Sequence, residues 1–287
     1  MRIIQADLQN YLKSRSDMSS INFPLLVERA RSALGPGGIV GITTFHDRRY
    51  EDARNLCEEQ GIQITNLGNA FYVPAQDILF VKCQRIMTQQ GDLDVLGVQE
   101  DHHLHEHLTL EDTLKAVDDE GALSDIPMPF HRRGLGPFLQ DHREFLEKIH
   151  AITVYSGEGA LWVPFLLPYG CTENPNEQAL RFYNDVKPNF PHLGALTASQ
   201  GSLVQHIGSN STALSVSGYY SRLKSPEDVR TLLREALPGA TPERSHREPL
   251  YMGSLRHQLV VHLDHNPLSY RLWGVPNAHL DSLFIKK

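Results

Sequence analysis

Polar side chains that could bind a ligand or take part in catalysis follow the apolar runs near the start of the chain. Gln9 and Tyr11 come after the first run, Asp17 lies further on, and His46 and Asp47 follow the second run. A histidine beside a carboxylate can serve as a general base that the carboxylate orients. His46 and Asp47 are therefore candidate catalytic residues, and the alternative is a polar turn in which Asp47 caps the next helix.

Three further candidates, His131, Arg132 and Gln200, also follow apolar runs. Because a guanidinium group suits phosphate or carboxylate, Arg132 beside His131 predicts contact with a small anionic ligand, unless the pair belongs to a solvated basic turn. Ser199 has no neighbouring base that we can identify, and a serine hydroxyl without a base is a poor nucleophile. We expect ligand contacts from Gln9, Tyr11, Asp17, His46, His131, Arg132 and Gln200.

The densest group of metal-capable side chains is the segment 100–107, which reads EDHHLHEH. His103, His105 and His107 would share one side of an extended strand, where they could form a surface zinc or nickel site. His-rich tracts are a compositional signal only. A solvated loop before the next helix is therefore the interpretation that we prefer.

The elements that position these residues are predicted from the hydrophobic pattern. Short β-branched runs alternate with amphipathic stretches, which is typical of βαβ units and a parallel sheet. The predicted strands are 2–6, 38–44, 62–66, 77–82, 93–98, 122–126, 151–155 and 192–197, and the predicted helices are 24–34, 51–60, 109–120, 138–150, 176–186 and 225–237. This series favours a β/α barrel, with an open doubly wound sheet as the alternative. In both folds, chemistry belongs at the carboxyl ends of the strands.

Two of these helices have readable ends. Thr109 is an N-cap residue and Gly121 a terminator for one helix. In the other, Ser225 is the N-cap residue and Pro226 occupies the first helical position. The stretch 238–249 is rich in Pro, Arg, Glu and Ser, and we interpret it as a linker.

The order of the strand-end motifs resembles that of the PHP family, named for polymerase and histidinol phosphatase. In that family the first strand ends in Asp-Leu-His-x-His followed by Ser-Asp, the second in Thr-Asp-His and the third in Gly-x-Glu. Later strands end in Ala-His-Pro-Phe, Glu-Val-Tyr-Asn and Ser-Asp-x-His. The resemblance spans about residues 3–240. It implies a distorted (β/α)7 TIM-like barrel of the PHP type, followed here by a C-terminal extension, and it implies the family activity of a metal-dependent phosphoesterase.

Most positions that carry metal ligands in the family have other residue types in this chain. The replaced positions are Gln9, Tyr11, Ala70, Met128, Thr153 and Gln200. Only Asp17 and His46, with Asp47 beside it, keep types that could bind metal in the family's manner. A multi-metal site needs several converging imidazole, thiolate or carboxylate ligands. We therefore expect no metal cofactor; the alternative is Mn, Zn or Fe ions held by residual ligands such as Asp17 and His46.

Composition and charge bound the remaining possibilities. The 27 Lys and Arg against 34 Asp and Glu give a formal charge of −7, which disfavours general binding to nucleic acid. Three scattered cysteines without a CxxC disfavour a disulfide framework. The N-terminal run turns polar too soon for a signal peptide, and no apolar stretch is long enough to cross a bilayer. We expect a cytoplasmic protein without membrane association.

Three functions remain open at this level. The first is a PHP-like barrel that has lost its metal cluster and binds a small anionic ligand or a protein partner without catalysis. The second is a phosphoesterase with a reduced metal site, built from Asp17, His46 and Asp47 with His131 and Glu158 as replacements. The third function is that of a subunit in a nucleoprotein complex. It follows from the resemblance alone, because the protein subunit of ribonuclease P in archaea and eukaryotes is a metal-free PHP-like barrel.

The domain organisation follows from the same patterns. Residues 1–240 are predicted to form the barrel, and residues 241–287 a linker and a C-terminal extension packed on it. Apolar residues in this extension, among them Tyr251, Trp273 and Phe284, predict packing within one chain, with a dimer contact as the lesser option. We expect a monomer or a homodimer.

Overall fold

The computed structural model describes residues 1–12, 23–45, 47–131, 133–157, 173–200 and 206–244. The strands in these ranges are β1 (Arg2–Asn10), β2 (Gly38–Thr44), β3 (Thr65–Asn66), β4 (Ala70–Val73), β5 (Ile78–Met87), β6 (Asp92–Leu96), β7 (Leu123–Ile126), β8 (Ala151–Ser156), β9 (Gly194–Ala198), β10 (Asn210–Val216) and β11 (Thr241–Arg244). The α-helices are α1 (Phe23–Leu34), α2 (Arg49–Glu59), α3 (Leu110–Glu120), α4 (Gly136–Asp141), α5 (Pro175–Val186) and α6 (Pro226–Ala236). Short 3-10 helices cover Arg143–Lys148, Tyr220–Arg222 and Leu237–Gly239.

The strands form one sheet that nearly closes into a barrel. Its order is β11-β10-β1-β2-β5-β6-β7-β8-β9, and β3 and β4 form a hairpin on β5. Pairing is parallel for β1–β2, β2–β5, β7–β8 and β8–β9, whereas β6 and β10 are antiparallel to their neighbours. Side chains link the two ends of the sheet. The Thr197 N–H on β9 donates to Thr212 Oγ1 on β10 at 2.8 Å, and Thr212 Oγ1 donates to the Thr197 carbonyl at 3.2 Å.

A β-bulge near the end of β1 turns a polar side chain into the barrel. Asp7 pairs with Val40 and Asn10 with Ile42, so β1 has one residue more than β2 over this interval. Leu8 packs in the interior apolar cluster, and Gln9 beside it contacts β7 and β8. The bulged backbone approaches β2 so closely that a Cβ on Gly41 would lie 2.0 Å from the Leu8 carbonyl oxygen. Glycine is therefore required at position 41.

The amino-terminal half of the barrel is apolar and is covered by α6. Interior side chains from the starts of the parallel strands pack against the inner face of this helix. The strand residues include Ile4, Ile39, Leu79, Leu123 and Ala151, and the helix contributes Val229 and Leu233. Outside the barrel, α1 and α2 pack on β2 and β5, and α3 and α5 pack over β6, β7 and β8. The polar side chains in the other half of the barrel are therefore held on a fixed frame.

The barrel prediction is confirmed, and the element boundaries show where the pattern misled. Strand 38–44 and both predicted caps are correct. Thr109 Oγ1 accepts the Asp112 N–H, Gly121 ends α3 at φ 70°, and Ser225 and Asp228 form a capping box on α6. The predicted helix 138–150 is instead α4 followed by a 3-10 turn, because His142 leaves the helical region at φ −127° and ψ 60°.

Three strands of the sheet were missed in the sequence, namely β4, β10 and β11, and the predicted strand 62–66 is a strand only at Thr65–Asn66. β10 is rich in Ser and Thr, which are not apolar, and it alternates buried threonine and leucine instead of forming a β-branched apolar run. β11 pairs with β10 from Thr241 to Arg244, within the stretch interpreted as a linker. That linker therefore begins with a sheet strand, and the division of the chain into barrel and extension stays a prediction. Residues 245–287 lie outside the described part.

The lengths of the helices can be compared with the thickness of a membrane. In the ranges that the structure describes, no helix combines the length and the apolar character that crossing a bilayer requires.

Candidate functional site

Six buried polar side chains from six segments meet inside the carboxyl-terminal half of the barrel. We call them the interior cluster: Gln9, Arg85, Asp94, Asp125, Thr153 and Gln200. Gln9, Arg85 and Asp125 lie near the carboxyl ends of β1, β5 and β7, and Gln200 follows β9. Each has at most 7% of its surface exposed. This is the end of a β/α barrel at which ligands bind.

Asp125 and Gln9 form the centre of a hydrogen-bond chain. The Gln9 amide nitrogen donates to Asp125 Oδ2 and to Thr153 Oγ1 at 2.8 Å. Thr153 Oγ1 also donates to Asp125 Oδ2 at 2.9 Å. On the other side, the Gln200 amide nitrogen donates to Gln9 Oε1 at 3.0 Å. The carboxyl group is thus oriented through one oxygen, and Gln9 connects it to the loop after β9.

Arg85 and Asp94 form a buried ion pair beside this chain. The Arg85 guanidinium donates from Nε at 2.7 Å and from Nη2 at 2.9 Å to the two carboxylate oxygens of Asp94. The guanidinium carbon lies 4.7 Å from the centre of the Tyr11 ring, and that ring lies 5.6 Å from the Phe45 ring. Bidentate pairing and stacking on an aromatic face both fix a guanidinium group in place. The cluster therefore has its own immobile cation.

Burial raises the pKa of both carboxyl groups of the cluster, and Arg85, which binds Asp94 directly, opposes the increase there. Burial raises the pKa of Asp125 to about 7, the charge of Asp94 adds to this increase, and Thr153, Arg85 and Gln9 oppose it. Burial alone would lower the pKa of Arg85, but Asp94 raises it above its usual value, so the guanidinium is charged at all relevant pH values. Asp94 is therefore neutralised by a partner, whereas Asp125 is poised between its acid and its anion near neutral pH.

Asp7 holds the backbone that carries the cluster and does not belong to it. Its two carboxylate oxygens accept the backbone N–H groups of Ser199 at 3.1 Å and Gly208 at 2.8 Å. Burial raises the pKa of Asp7 to about 6, although these N–H groups oppose the increase. Ser199 Oγ in turn accepts the Asn210 N–H and donates to its carbonyl, so Ser199 has a structural role.

The sequence-predicted site residues fall into three groups. Gln9 and Gln200 meet in the cluster, and Tyr11 stacks against its arginine. Asp47 is bound to Arg49 Nε at 2.5 Å, and the N-cap residue of α2 is Arg48 without a side-chain cap. The cap predicted for Asp47 was therefore wrong. His131 lies in the turn after β7, where its N–H donates to the Met128 carbonyl at 3.0 Å.

The remaining predicted residues are Asp17, His46, Arg132 and Glu158, and they lie outside the described part of the chain. Arg133, next to Arg132, is bound to Asp92 at 2.9 Å on the rim of the barrel. A small anionic ligand at this turn stays a prediction.

The His-rich segment is held by a buried lysine and does not form the extended strand considered from its alternation. Lys82 Nζ, which is fully buried, donates to Glu51 Oε1 at 2.8 Å and to the carbonyls of residues 99, 100 and 102. His102 Nδ1 lies 2.7 Å from Glu120 Oε2, and His107 has a φ of 62°. The segment is a loop clamped to the outside of the barrel.

The described residues do not fit a metal cluster at the carboxyl end of the barrel. Among them, no group of three or more His, Cys, Asp or Glu side chains is arranged to hold a metal ion. Gln9 and Thr153, at two family ligand positions, direct hydrogen-bond donors at Asp125. Asp94 is saturated by a guanidinium. A metal would need the carboxylate oxygens of Asp94 and Asp125 as ligands, but Arg85 binds the first group, and Gln9 and Thr153 donate to the second.

Arg85, Asp94 and Asp125 were missed in the sequence analysis. Arg85 lies within a long strand, Asp94 within DLDVL and Asp125 within LSDI, where a charged residue among apolar ones suggests a solvent-facing position. Period-two alternation offered a signal. Asp94 and Leu96 share a face, as do Leu123 and Asp125, and both leucines lie in the barrel interior.

Comparisons with known proteins identify the fold. No protein-family model matches the chain, and no curated protein matches it. PsfC from Pseudomonas syringae matches with a TM-score of 0.59 at 11% identity over 91% of this chain and 100% of PsfC. Endonuclease Q from Pyrococcus furiosus, a lesion-specific endonuclease, matches with a TM-score of 0.48 at 12% identity over 84% of this chain.

A two-domain Bacteroides vulgatus protein, described as containing a predicted PHP-like metal-dependent phosphoesterase, matches with a TM-score of 0.49 at 13% identity over 85% of this chain. The chain spans 58% of the endonuclease and 65% of the Bacteroides protein. At such identities the likeness concerns the fold alone. The chain shares its fold with PsfC, and its nearly closed sheet is the barrel that the order of the strand-end motifs predicted.

Proposed function

We propose that this protein is a non-catalytic PHP-type barrel that holds no metal cluster and uses the carboxyl end of the barrel to bind a ligand. The observation that supports it is the Arg85–Asp94 ion pair, with Nε and Nη2 at 2.7 and 2.9 Å from the two carboxylate oxygens. A metal-dependent phosphoesterase needs its carboxylates available for cations. In this barrel, a guanidinium neutralises one carboxylate, and neutral amide and hydroxyl groups bind the other.

The surroundings of Gln9 support the same proposal. An amide oxygen could in principle bind a metal, but Gln9 Oε1 accepts the Gln200 amide N–H, and its nitrogen faces Asp125 and Thr153. To bind a cation, the Gln9 side chain would have to rotate and break this chain. The hydrogen bonds on both sides of Gln9 therefore hold its side chain in place without a metal.

The experiment is a hydrolysis assay of the untagged full-length chain. Aryl phosphate monoesters and phosphodiesters are incubated with Mn²⁺, Zn²⁺ or Fe²⁺, and with no added metal. We expect no metal-stimulated turnover and no difference between the native chain and His46→Ala. Turnover that Mn²⁺ stimulates and His46→Ala abolishes would replace this proposal by the phosphoesterase with a reduced metal site.

A cytoplasmic location belongs to the same proposal. Cys57 and Cys83 are both buried as free thiols, and buried free thiols suit a reducing compartment. Fractionation of the native host cells would test it, with recovery of the protein in the cytosolic fraction as the expected result.

A further inference from the structure

We infer that a primary ammonium group binds inside the barrel, held by Asp125 and Gln200 of the interior cluster and by Thr43 on β2. This inference rests on the proposed function, because it names the ligand class of the same metal-free site. It departs from the anionic ligand expected from the arginine-bearing turn after β7.

Three buried oxygen atoms at this end of the barrel have no hydrogen-bond partner among the described residues: Thr43 Oγ1, Asp125 Oδ1 and Gln200 Oε1. Their residues are at most 1% exposed. A buried polar atom without a partner costs about 1–3 kcal/mol, so native structures retain such atoms mainly where a water or a ligand binds. All three atoms can accept hydrogen bonds, and two of them can only accept.

These oxygen atoms belong to one region of the interior. Gln200 and Asp125 are joined through Gln9 by the hydrogen-bond chain described above. Thr43 on β2 is the register partner of Cys83 on β5. Burial raises the pKa of the Cys83 thiol, and the charges of Asp94 and Asp125 raise it further. Cys83 and Arg85 lie two residues apart on one face of β5, and Arg85 is the register partner of Asp94, so Thr43 lies across one strand pair from the face that carries the ion pair.

The charge balance of the cluster favours a cation. Among the described residues it contains two carboxyl groups and one guanidinium, and that guanidinium binds both oxygens of Asp94 through Nε and Nη2. Asp125 Oδ2 receives only neutral donors from Gln9 and Thr153. An ionised Asp125 is therefore a buried charge that no cation of the described residues directly contacts, and a bound cation would offset its burial.

Hydrogen-bond chemistry identifies the cation as an ammonium group. A primary ammonium has three N–H donors and no acceptor, which matches three unpartnered oxygen acceptors. Ca²⁺ takes six to eight oxygen ligands and Mg²⁺ near-ideal octahedral ones, whereas Thr43, Asp125 and Gln200 together offer three unpartnered oxygens. Phosphate would bring negative charge and further acceptors to a site that already has acceptors.

The test is calorimetric titration of the full-length chain at pH 8 and constant ionic strength. The probes are methylammonium, ethanolammonium and 1,4-diaminobutane. Tetramethylammonium is the matched control, because it has the same charge but no N–H donor. Potassium, Mg²⁺ and inorganic phosphate complete the panel. We expect at least one primary ammonium to bind, and tetramethylammonium and phosphate to give no heat of binding.

Variants locate the site. Asp125→Asn should weaken ammonium binding by at least about tenfold, and Thr43→Val by about threefold. Asp119→Asn, which changes an exposed carboxylate on α3, should leave it unchanged. If Asp125→Asn does not fold, Thr43→Val and Gln200→Met carry the test, because both replace a polar group by an apolar one of similar size.

The inference is overturned if no primary ammonium binds, if tetramethylammonium binds equally well, if phosphate binds in its place, or if all variants bind like the native chain. None of these results requires a metal cluster, so the inference can fail while the proposed function stands. Two or more tightly bound transition-metal ions would overturn the proposed function whatever the ammonium titration shows.

Discussion

Asp94 on β6 and Asp125 on β7 are register partners on neighbouring antiparallel strands, yet within the described part of the chain a cation binds Asp94 and not Asp125. Arg85 binds both oxygens of Asp94, whereas Asp125 is bound by an amide and a hydroxyl through one oxygen. Two adjacent carboxyl groups inside a barrel are the type of pair that a metal could bridge. Here a guanidinium takes one of them, and the other has a pKa of about 7.

The first prediction concerns Asp125→Asn. The folded pKa of Asp125, about 7, lies above the 3.8 of an aspartate in an unfolded chain, so its ionisation opposes folding. The stability that Asp125 contributes is complete below pH 4 and is lost as pH rises through 7. Asparagine cannot ionise. Relative to the native chain, the variant should therefore gain about 2 kcal/mol in free energy of unfolding between pH 5 and pH 8, measured by urea denaturation.

Asp7→Asn is the comparison variant for absolute stability and not for pH dependence, because burial also raises the pKa of Asp7, to about 6. Both oxygens of Asp7 accept backbone N–H groups. In asparagine, the amide nitrogen would replace one of these oxygens, and its N–H would face a backbone N–H. This variant should lose about 1–3 kcal/mol at pH 7. Equal pH dependence of the native chain and Asp125→Asn would show that Asp125 is not the titrating group.

The second prediction concerns the Arg85–Asp94 pair. Arg85→Met leaves the buried Asp94 carboxylate without a cation, and the free energy of unfolding should fall by about 3–5 kcal/mol. The double variant Arg85→Met/Asp94→Leu should recover much of this loss, because no unpaired charge remains. The exposed pair Arg143–Asp185, at 2.6 Å, is the control. Arg143→Ala should cost less than about 1 kcal/mol, and additive losses in the double variant would contradict a coupled pair.

A third prediction concerns the lysine that clamps the His-rich loop. Lys82→Met leaves Glu51 without its buried cation and three carbonyls without their donor. We expect a loss of about 3 kcal/mol or more in free energy of unfolding, together with faster proteolytic cleavage within residues 99–107.

Lys187→Met is its control. Lys187 Nζ also donates to three carbonyls, at 2.9, 2.6 and 3.1 Å, but this lysine is only partly buried and has no carboxylate partner among these contacts. Its replacement should cost about 1 kcal/mol. A similar cost for both variants would mean that carbonyl contacts alone explain the clamp.

The fourth prediction concerns acid stability. Burial lowers the pKa of His150 to about 4 from 6.5, and the charges of Arg234 and His192 lower it further. Its neutral Nδ1 accepts the Ser124 N–H at 3.2 Å. A depressed histidine pKa contributes stability that is present above pH 6.5 and is lost as pH falls towards 4. Between pH 7 and pH 4.5, the free energy of unfolding measured in urea should therefore fall by about 2 kcal/mol less for His150→Gln than for the native chain. Parallel plots of this free energy against pH for the two proteins would exclude His150 as the titrating group.

The sequence predicted the barrel because most of its strands are apolar runs, and the motif order predicted Gln9, Tyr11 and Gln200 as neighbours of one site. It did not predict Arg85, Asp94 or Asp125, because a charged residue within an apolar strand looks the same whether it faces solvent or a buried partner. The partner of Arg85 lies across a strand pair, and only the register of β5 and β6 shows that Asp94 is opposite it.

Local chemistry explains the other successes and failures. Thr109 and Ser225 were predicted correctly because a cap is decided within one helical turn. β10 and β11 were missed because their stability comes from pairing with distant strands. The polar position of Gln9 depends on a bulge that Gly41 permits, and neither feature is visible in the hydrophobic period of β1.

The central claim is that fixed protein groups replace the metal cluster at the carboxyl end of the barrel. Its most direct test is elemental analysis by mass spectrometry of the untagged full-length chain, both as purified and after incubation with Mn²⁺, Zn²⁺ and Fe²⁺ followed by desalting. The account predicts well under one equivalent of transition metal per chain in every sample. Two or more equivalents that survive desalting, and that fall when Asp125 is replaced by asparagine, would contradict it.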